Sequence, residues 1–149
     1  MAADRPLFTG SVEHSLDDKG RLVVPARFRE RLGSGFFVTI AEPDPCLALY
    51  PASIWSEFCA RLEAAPVKDA RYRAFVRHLF AHTEELSCDN QGRLVLPPVL
   101  RSWAHIEKDV MSIGTLTRIE VWAKASYAGA VSAADHSDLR DYRAELGLY

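Results

Sequence analysis

Cysteine is scarce in this chain. Cys46, Cys59 and Cys88 are odd in number and widely spaced, which argues against a disulfide framework and fits a reducing cytosol. Long apolar runs are missing as well. The longest, such as Phe36-Phe37-Val38-Thr39-Ile40, are far too short to span a bilayer. The first residues lack a charged region followed by an apolar stretch, so no signal peptide is expected. Positive charge is not in excess: 18 Lys and Arg face 20 Asp and Glu, for a net charge of −2. That balance counts against a nucleic-acid binder, since such domains are usually basic. The motifs of common enzyme sites are absent too. There is no Gly-x-Ser-x-Gly elbow, no P-loop and no Gly-x-Gly-x-x-Gly. No catalysis, cofactor, small-molecule substrate or membrane partner is therefore expected.

What is present is a repeat. Asp17-Asp18-Lys19-Gly20-Arg21-Leu22-Val23-Val24-Pro25 returns as Asp89-Asn90-Gln91-Gly92-Arg93-Leu94-Val95-Leu96-Pro97. Asp17 and Asp89, Gly20 and Gly92, Arg21 and Arg93, and Arg29 and Arg101 are all 72 apart. One constant offset without a gap marks an internal repeat. Charge follows the repeat unevenly. Lys19, Arg21, Arg27, Arg29 and Arg31 stand against a single acid, Glu30, whereas the matching window of the second half holds only Arg93 and Arg101. Acidic residues gather between Glu42 and Glu63 and between Asp135 and Glu145. One basic face on an acidic body is compatible with binding a polyanion.

Each copy predicts the same order of elements. Residues 1–7 read as an untethered extension. Phe8, Val12 and Leu16 share one parity, as in a strand. Asp17 to Gly20 reads as a turn, with Gly20 at positive φ closing a hairpin onto Arg21–Val24. Pro25 fits the first helical position, Phe28 and Leu32 lie on one helix face, and Gly33-Ser34-Gly35 stops the helix. Strands over 36–41 and 46–50 flank Glu42-Pro43-Asp44-Pro45. Ser53 is a candidate N-cap for a helix burying Ile54, Trp55, Phe58 and Leu62. A second helix is expected from about Val67, with Tyr72, Phe75, Val76, Leu79 and Phe80 at helical spacing and Lys68, Arg71, Arg73 and Arg77 on its other face. The second copy then runs through Leu86–Arg93, a short helix at Pro97 and Leu100, and strands at Val110–Ile113 and Arg118–Trp122. There Gly114-Thr115-Leu116-Thr117 replaces the two-proline connection at the same offset. A closing helix at Tyr127 and a peripheral tail helix carrying Leu139, Tyr142 and Leu146 complete the chain.

About 50 residues of such a pattern bury too little surface to stand comfortably alone. The expected architecture is α+β: one pseudo-two-fold barrel or intertwined sheet, not two beads on a linker. A first repeat is expected over 8–66, a linking helix over 67–79, a second repeat over 80–127 and a tail helix over 128–149.

The residues from Phe8 to about Tyr127 resemble the MraZ family of bacterial transcriptional regulators. The resemblance rests on Asp-x-x-x-Arg in each half, within Asp-x-Lys-Gly-Arg-Leu-x-x-Pro-x-x-x-Arg. It implies tandem AbrB-like swapped-hairpin repeats, a β-barrel-like fold with peripheral helices. It implies a cytoplasmic, nucleoid-associated bacterial protein that binds repeated sites upstream of the division and cell-wall gene cluster. It further implies a repressor that assembles as a homo-oligomeric ring on double-stranded promoter DNA. The family's functional residues fall on Asp17, Arg21, Asp89 and Arg93. Gln91 stands where the pattern has lysine, which leaves the second turn less basic.

The chemistry of the motif suits that role. A guanidinium at Arg21, after a turn glycine, can reach guanine O6 and N7 in a major groove. Lys19, Arg27 and Arg29 suit phosphate oxygens, and Arg101 is the counterpart of Arg29. Asp17 closes the turn and orients Arg21, since its own charge repels phosphate. Arg93 could read DNA or face a neighbouring subunit. For one copy, a plain solvated hairpin would be the better explanation; duplication and the family match turn the argument toward DNA. His78 and His82, four apart on a helix with Glu84 and Cys88 nearby, have a spacing that can hold zinc. No supporting motif accompanies them, and no metal is expected. Trp55, Phe58, Trp103 and Trp122 fit core or subunit interface. Two other functions compete: an AbrB-like antidote that neutralises a toxin through its tail, and a barrel scaffold or small-molecule binder with no DNA role.

Overall fold

A computed structural model describes residues 5–148. The first repeat unit contributes β1 (Ser11–Ser15), β2 (Arg21–Val23), α1 (Ala26–Leu32), β3 (Phe36–Ile40), β4 (Leu47–Pro51) and α2 (Ala52–Glu63). After α3 (Ala70–Ala81) come β5 (Glu84–Leu86), β6 (Arg93–Val95), α4 (Pro98–Trp103), β7 (Asp109–Thr115), β8 (Arg118–Ala123) and α5 (Lys124–Ala133). The last element is α6 (His136–Glu145). The fold is α+β, with an antiparallel sheet and six helices among the described residues.

Strand partners are drawn from both halves. One sheet has the order β1-β7-β8-β4-β3-β5, and β2 pairs with β6 in a separate two-stranded ribbon. If first-half strands are exchanged for their second-half counterparts, the order reads the same backwards, which is the pseudo-two-fold expected from the repeat. The local hairpin expected between Phe8–Leu16 and Arg21–Val24 does not form as a strand pair. The turn itself does: Asp17 N–H donates to Arg21 O at 2.9 Å and Gly20 N–H to Asp17 O at 3.0 Å. Beyond that turn β1 joins β7 and β2 joins β6. The sheet is open, with β1 and β5 at its edges.

The offset of 72 is not constant. Phe36 pairs with Pro51 and Leu86, whereas Val110 pairs with Ala123 and His14. Pro51 and Ala123 are 72 apart, as are His14 and Leu86, so the counterpart of Phe36 is Val110, 74 positions on. Two residues are gained between α4 and β7 and lost again at the next turn. Gly114 and Thr115 therefore continue β7, and Leu116-Thr117 alone make the turn, with Leu116 at φ 69°. Gly114 is required where it stands. A Cβ there would lie 2.3 Å from Thr9 N and 2.4 Å from the Phe8 carbonyl carbon, because residues 8–10 run close along β7.

Alternation along the strands builds two apolar clusters. Leu47 and Leu49 of β4 and Ile119 and Val121 of β8 face the main core, with Leu22, Leu94, Phe28, Leu32 and Leu100. Ala48 and Trp122 face the opposite side with Cys46, where Tyr127 of α5 meets Trp122 edge to face at 5.7 Å. Trp55 stacks between Phe37 and Phe58, and Trp103 packs partly buried against the main core.

Several boundaries differ from expectation. Pro51, not Ser53, is the N-cap of α2, because β4 runs without a loop into the helix. Asp69 caps α3 through Tyr72 N–H, so that helix starts three residues after Val67. Leu79 is buried but Phe75 is half-exposed, since α3 packs only one edge on the sheet. Residues 5–7 are tethered: Arg5 pairs with Glu57 at 3.4 Å, and Arg31 Nη1 donates to Leu7 O at 2.7 Å. The rest of the expected extension, residues 1–4, lies outside the described residues. The closing helix expected at Tyr127 is α5, which runs on to Ala133, and the expected tail helix is α6, separated from it at Ala134-Asp135 and capped by Asp135.

Candidate nucleic-acid interface

The ribbon is where the duplicated motif converges. Arg21 opposes Val95, Leu22 opposes Leu94 and Val23 opposes Arg93. Side chains alternate across a strand. Leu22 and Leu94 are therefore buried, and Arg21, Val23, Arg93 and Val95 share the outer face. Val23 and Val95 are 46% and 56% exposed. Arg21 and Arg93 sit on a diagonal of this face, where Cα atoms lie about 7–8 Å apart. The two motifs thus form one continuous surface, with their turns at opposite ends.

Each turn is locked by its aspartate. Asp17 Oδ1 accepts from Lys19 N–H and Arg21 N–H, both at 2.9 Å, and Oδ2 accepts from Arg21 Nε at 2.5 Å. Asp89 repeats this with Gln91 N–H, Arg93 N–H and Arg93 Nε at 2.9, 2.9 and 2.8 Å. Both carboxyls are held below the usual aspartate range, first by the backbone N–H of the motif arginine and then by its guanidinium. A carboxylate that accepts several N–H bonds favours its charged form. Because each arginine is engaged through Nε, its Nη atoms are left for another acceptor. Gly20 and Gly92 make the turn possible at φ 72° and 76°, in the left-handed region that glycine enters without steric cost.

The remaining cations are not equivalent. Lys19 is exposed at the tip of the first turn. Arg27 lies over Gly10, its Nη1 2.4 Å from where a Cβ would stand. Arg29 and Arg101 cross to the other half's turn. Arg29 fills the space of a Cβ on Gly92, with Cζ 2.1 Å from that position, and donates from Nη2 to Val24 O at 2.9 Å. Arg101 Nη1 lies 2.6 Å from the Cβ position of Gly20, and its Nη2 donates to Glu107 O at 3.2 Å. The structure therefore brings the partly exposed Arg21 and Arg93 to one ribbon face, leaves Lys19 exposed at the tip of the first turn, and sets Arg29 and Arg101 against the backbone of the turns. Val23 and Val95 were missed in the sequence as members of this face. The alternation Arg-Leu-Val around a buried leucine was the available signal.

His78 and His82 do approach, with ring centroids 5.0 Å apart. His78 Nε2 donates to Glu42 at 2.5 Å and His82 Nδ1 to His78 O at 2.7 Å. Among the described residues, no three ligand-type side chains stand close enough to share an ion.

Comparison with known proteins matches residues 7–78 and again 79–146 to a family described as "MraZ protein, putative antitoxin-like". A protein of Moorella thermoacetica is 43% identical over 121 residues, 81% of this chain and 84% of its own length. One from Acetivibrio thermocellus is 42% identical over 145 residues, 95% of this chain and all of its own. A third, from Desulforamulus reducens, is 44% identical over 121 residues, with the same shares as the first. All three bear the name "Transcriptional regulator MraZ".

Proposed function

The chain belongs to the MraZ family, and from that premise we propose that it is a sequence-specific DNA-binding transcriptional regulator that reads a duplex with the β2–β6 ribbon. The observation that carries this reading is the pair of aspartate-locked arginines on one exposed ribbon face. A two-stranded ribbon fits the major groove, and an arginine held in one orientation suits bidentate contact with guanine O6 and N7. Val23 and Val95, beside those arginines, suit the methyl group of thymine. Lys19 serves a phosphate. Arg27 takes a phosphate at the rim, while Arg29 and Arg101 support the turns.

The finer features follow the family resemblance. The protein represses a division and cell-wall gene cluster, including its own gene, from repeated promoter sites. It works as a homo-oligomeric ring in the bacterial cytoplasm, at the nucleoid. The exchange of strand partners supports tandem swapped-hairpin repeats over 8–66 and 80–127, with 67–79 linking them and 128–149 as tail. A ring helps explain how a net acidic chain holds DNA, because several modest ribbon contacts add when sites recur at matching spacing.

The test is a mobility shift on the DNA upstream of the protein's own gene. Arg21→Ala should weaken binding roughly ten- to a hundredfold while size and circular dichroism stay unchanged. Wild-type affinity in that variant would remove the ribbon from the account. A second reading, a toxin antidote acting through the tail, draws support from Leu139 and Tyr142 on α6 and Leu146 at its C-cap, all exposed. It requires that removal of 135–149 abolish neutralisation of a defined toxin without touching DNA affinity.

A further inference from the structure

The two turns of the ribbon are each braced by the opposite half. Arg29, on the first half's α1, occupies the space beside Gly92 in the second turn. Arg101, on the second half's α4, occupies the space beside Gly20 in the first. The arrangement is reciprocal, since both pairs are related by the offset of 72. Backbone bonds run the same way: Val24 N–H donates to Gly92 O at 2.9 Å, and Leu96 N–H to Gly20 O at 3.3 Å. Arg29 is the tighter of the two. Its Nη2 ties it to Val24 O, at the end of β2, while Nε is buried without a hydrogen-bond partner. The guanidinium is thus turned toward the second turn, with Nη2 bonded to backbone and Nε enclosed beside Gly92. Burial pushes the Cys88 thiol up, one residue before the second motif, and the nearby Arg29 charge works against that rise, which agrees with this placement.

We infer that Arg29 and Arg101 are crossed positioning residues: each fixes the Asp–Arg turn of the other half, and neither is a phosphate contact. The inference rests on the DNA-reading proposal for its functional meaning, but its structural part stands by itself. A planar guanidinium laid on the glycine closes the space into which the turn would otherwise relax. The aspartate–arginine lock then keeps Arg93, or Arg21, at a fixed angle to the groove. The two reading arginines are consequently not independent. Damage to α1 appears at the second turn, and damage to α4 at the first.

Two measurements on the full-length protein test this separately. The first is amide hydrogen exchange in the free protein, followed over residues 89–93 and 17–21. Arg29→Met, which keeps the stem and removes the fork, should speed exchange in 89–93 roughly tenfold, the scale of one lost hydrogen bond. Residues 17–21 should be unaffected. Arg101→Met should do the reverse, with a smaller effect because its contacts are longer. Equal effects at both turns, or none at either, would overturn the inference.

The second is a double-mutant cycle on promoter DNA. Arg29→Met should add nothing to Arg93→Ala but multiply with Arg21→Ala, and its salt slope should equal the wild type's. A slope lowered by about one would mark a lost phosphate contact and overturn it as well. If wild-type protein failed to shift DNA, the regulatory reading would fall, and the crossed exchange pattern would still decide the positioning role.

Discussion

Asp17 and Asp89 show how much one carboxylate can organise. Each accepts two backbone N–H groups and one guanidinium N–H within five residues. Their acidity is raised, so the folded form holds its proton less tightly than the unfolded chain does. Linkage then fixes the sign. The stabilisation is present in full above the ordinary aspartate value of 3.8 and is lost as pH falls through the depressed folded value. Between pH 5 and 8 these two turns should contribute no pH dependence to DNA affinity. Asp17→Asn should reproduce the acid effect at neutral pH, because it keeps an oxygen for Lys19 and Arg21 N–H but loses the charge opposite Nε. The expected outcome is a binding loss smaller than that of Arg21→Ala. Titration of promoter DNA at pH 5, 6, 7 and 8 with both variants checks it.

At the scale of elements, glycine position separates two outcomes that composition alone would merge. Gly114→Ala drives a Cβ into the backbone of Phe8 and Thr9. Neither segment can withdraw, since Phe8 N–H donates to Leu116 O at 2.7 Å and Gly114 N–H to Gly10 O at 2.8 Å. Overpacking of this kind costs about 1–3 kcal/mol, and a thermal melt should show it. Gly129→Ala, on α5, meets nothing within 4 Å. It should stabilise that helix by about 0.5–1 kcal/mol through propensity. The same scale shows what sequence could and could not reveal. The turns were legible because an aspartate, a glycine and an arginine settle them locally. The proline starts of α1 and α4 were legible to within one residue: Pro25 and Pro97 stand as extended N-caps just ahead of the first helical residue, not in it. Strand partners were not, since whether β2 meets β1 or β6 depends on which pairing buries Leu22 and Leu94 together. The two-residue shift of β7 was also hidden, because a matched motif on one side and matched β4 and β8 on the other conceal a gain and a loss that cancel. The crossed arginines could have been suspected: Arg29, Arg101, Gly20 and Gly92 all obey the repeat, but only pairing between halves says which meets which.

At the scale of the whole molecule, neither half has its own complement of partners. Residues 1–77 contain β1, β2, β3 and β4, of which only β3 and β4 pair with each other, while β7, β6, β5 and β8 of the other half pair with β1, β2, β3 and β4 in turn. Left alone, that half exposes the unpaired edges of β1 and β2 and the leucine face of the ribbon. Unpaired edges and uncovered apolar faces seek a complement. The nearest available complement is a second copy of the same half, because β2 and β6 are related by the repeat and share Arg-Leu-Val. A chain ending after Arg77 should therefore fold as a symmetric dimer, with Leu22 of each copy meeting across a β2–β2 ribbon and Arg29 of each copy braced on Gly20 of the other. Its melting temperature should rise with protein concentration, as mass action requires when folding and association are one step. The full-length chain should show no such dependence from this source, since its halves are covalently joined. Analytical ultracentrifugation with melts over a hundredfold concentration range checks both statements. A stably folded monomer of residues 1–77 would mean that the halves are self-sufficient and that their exchange of strands is incidental.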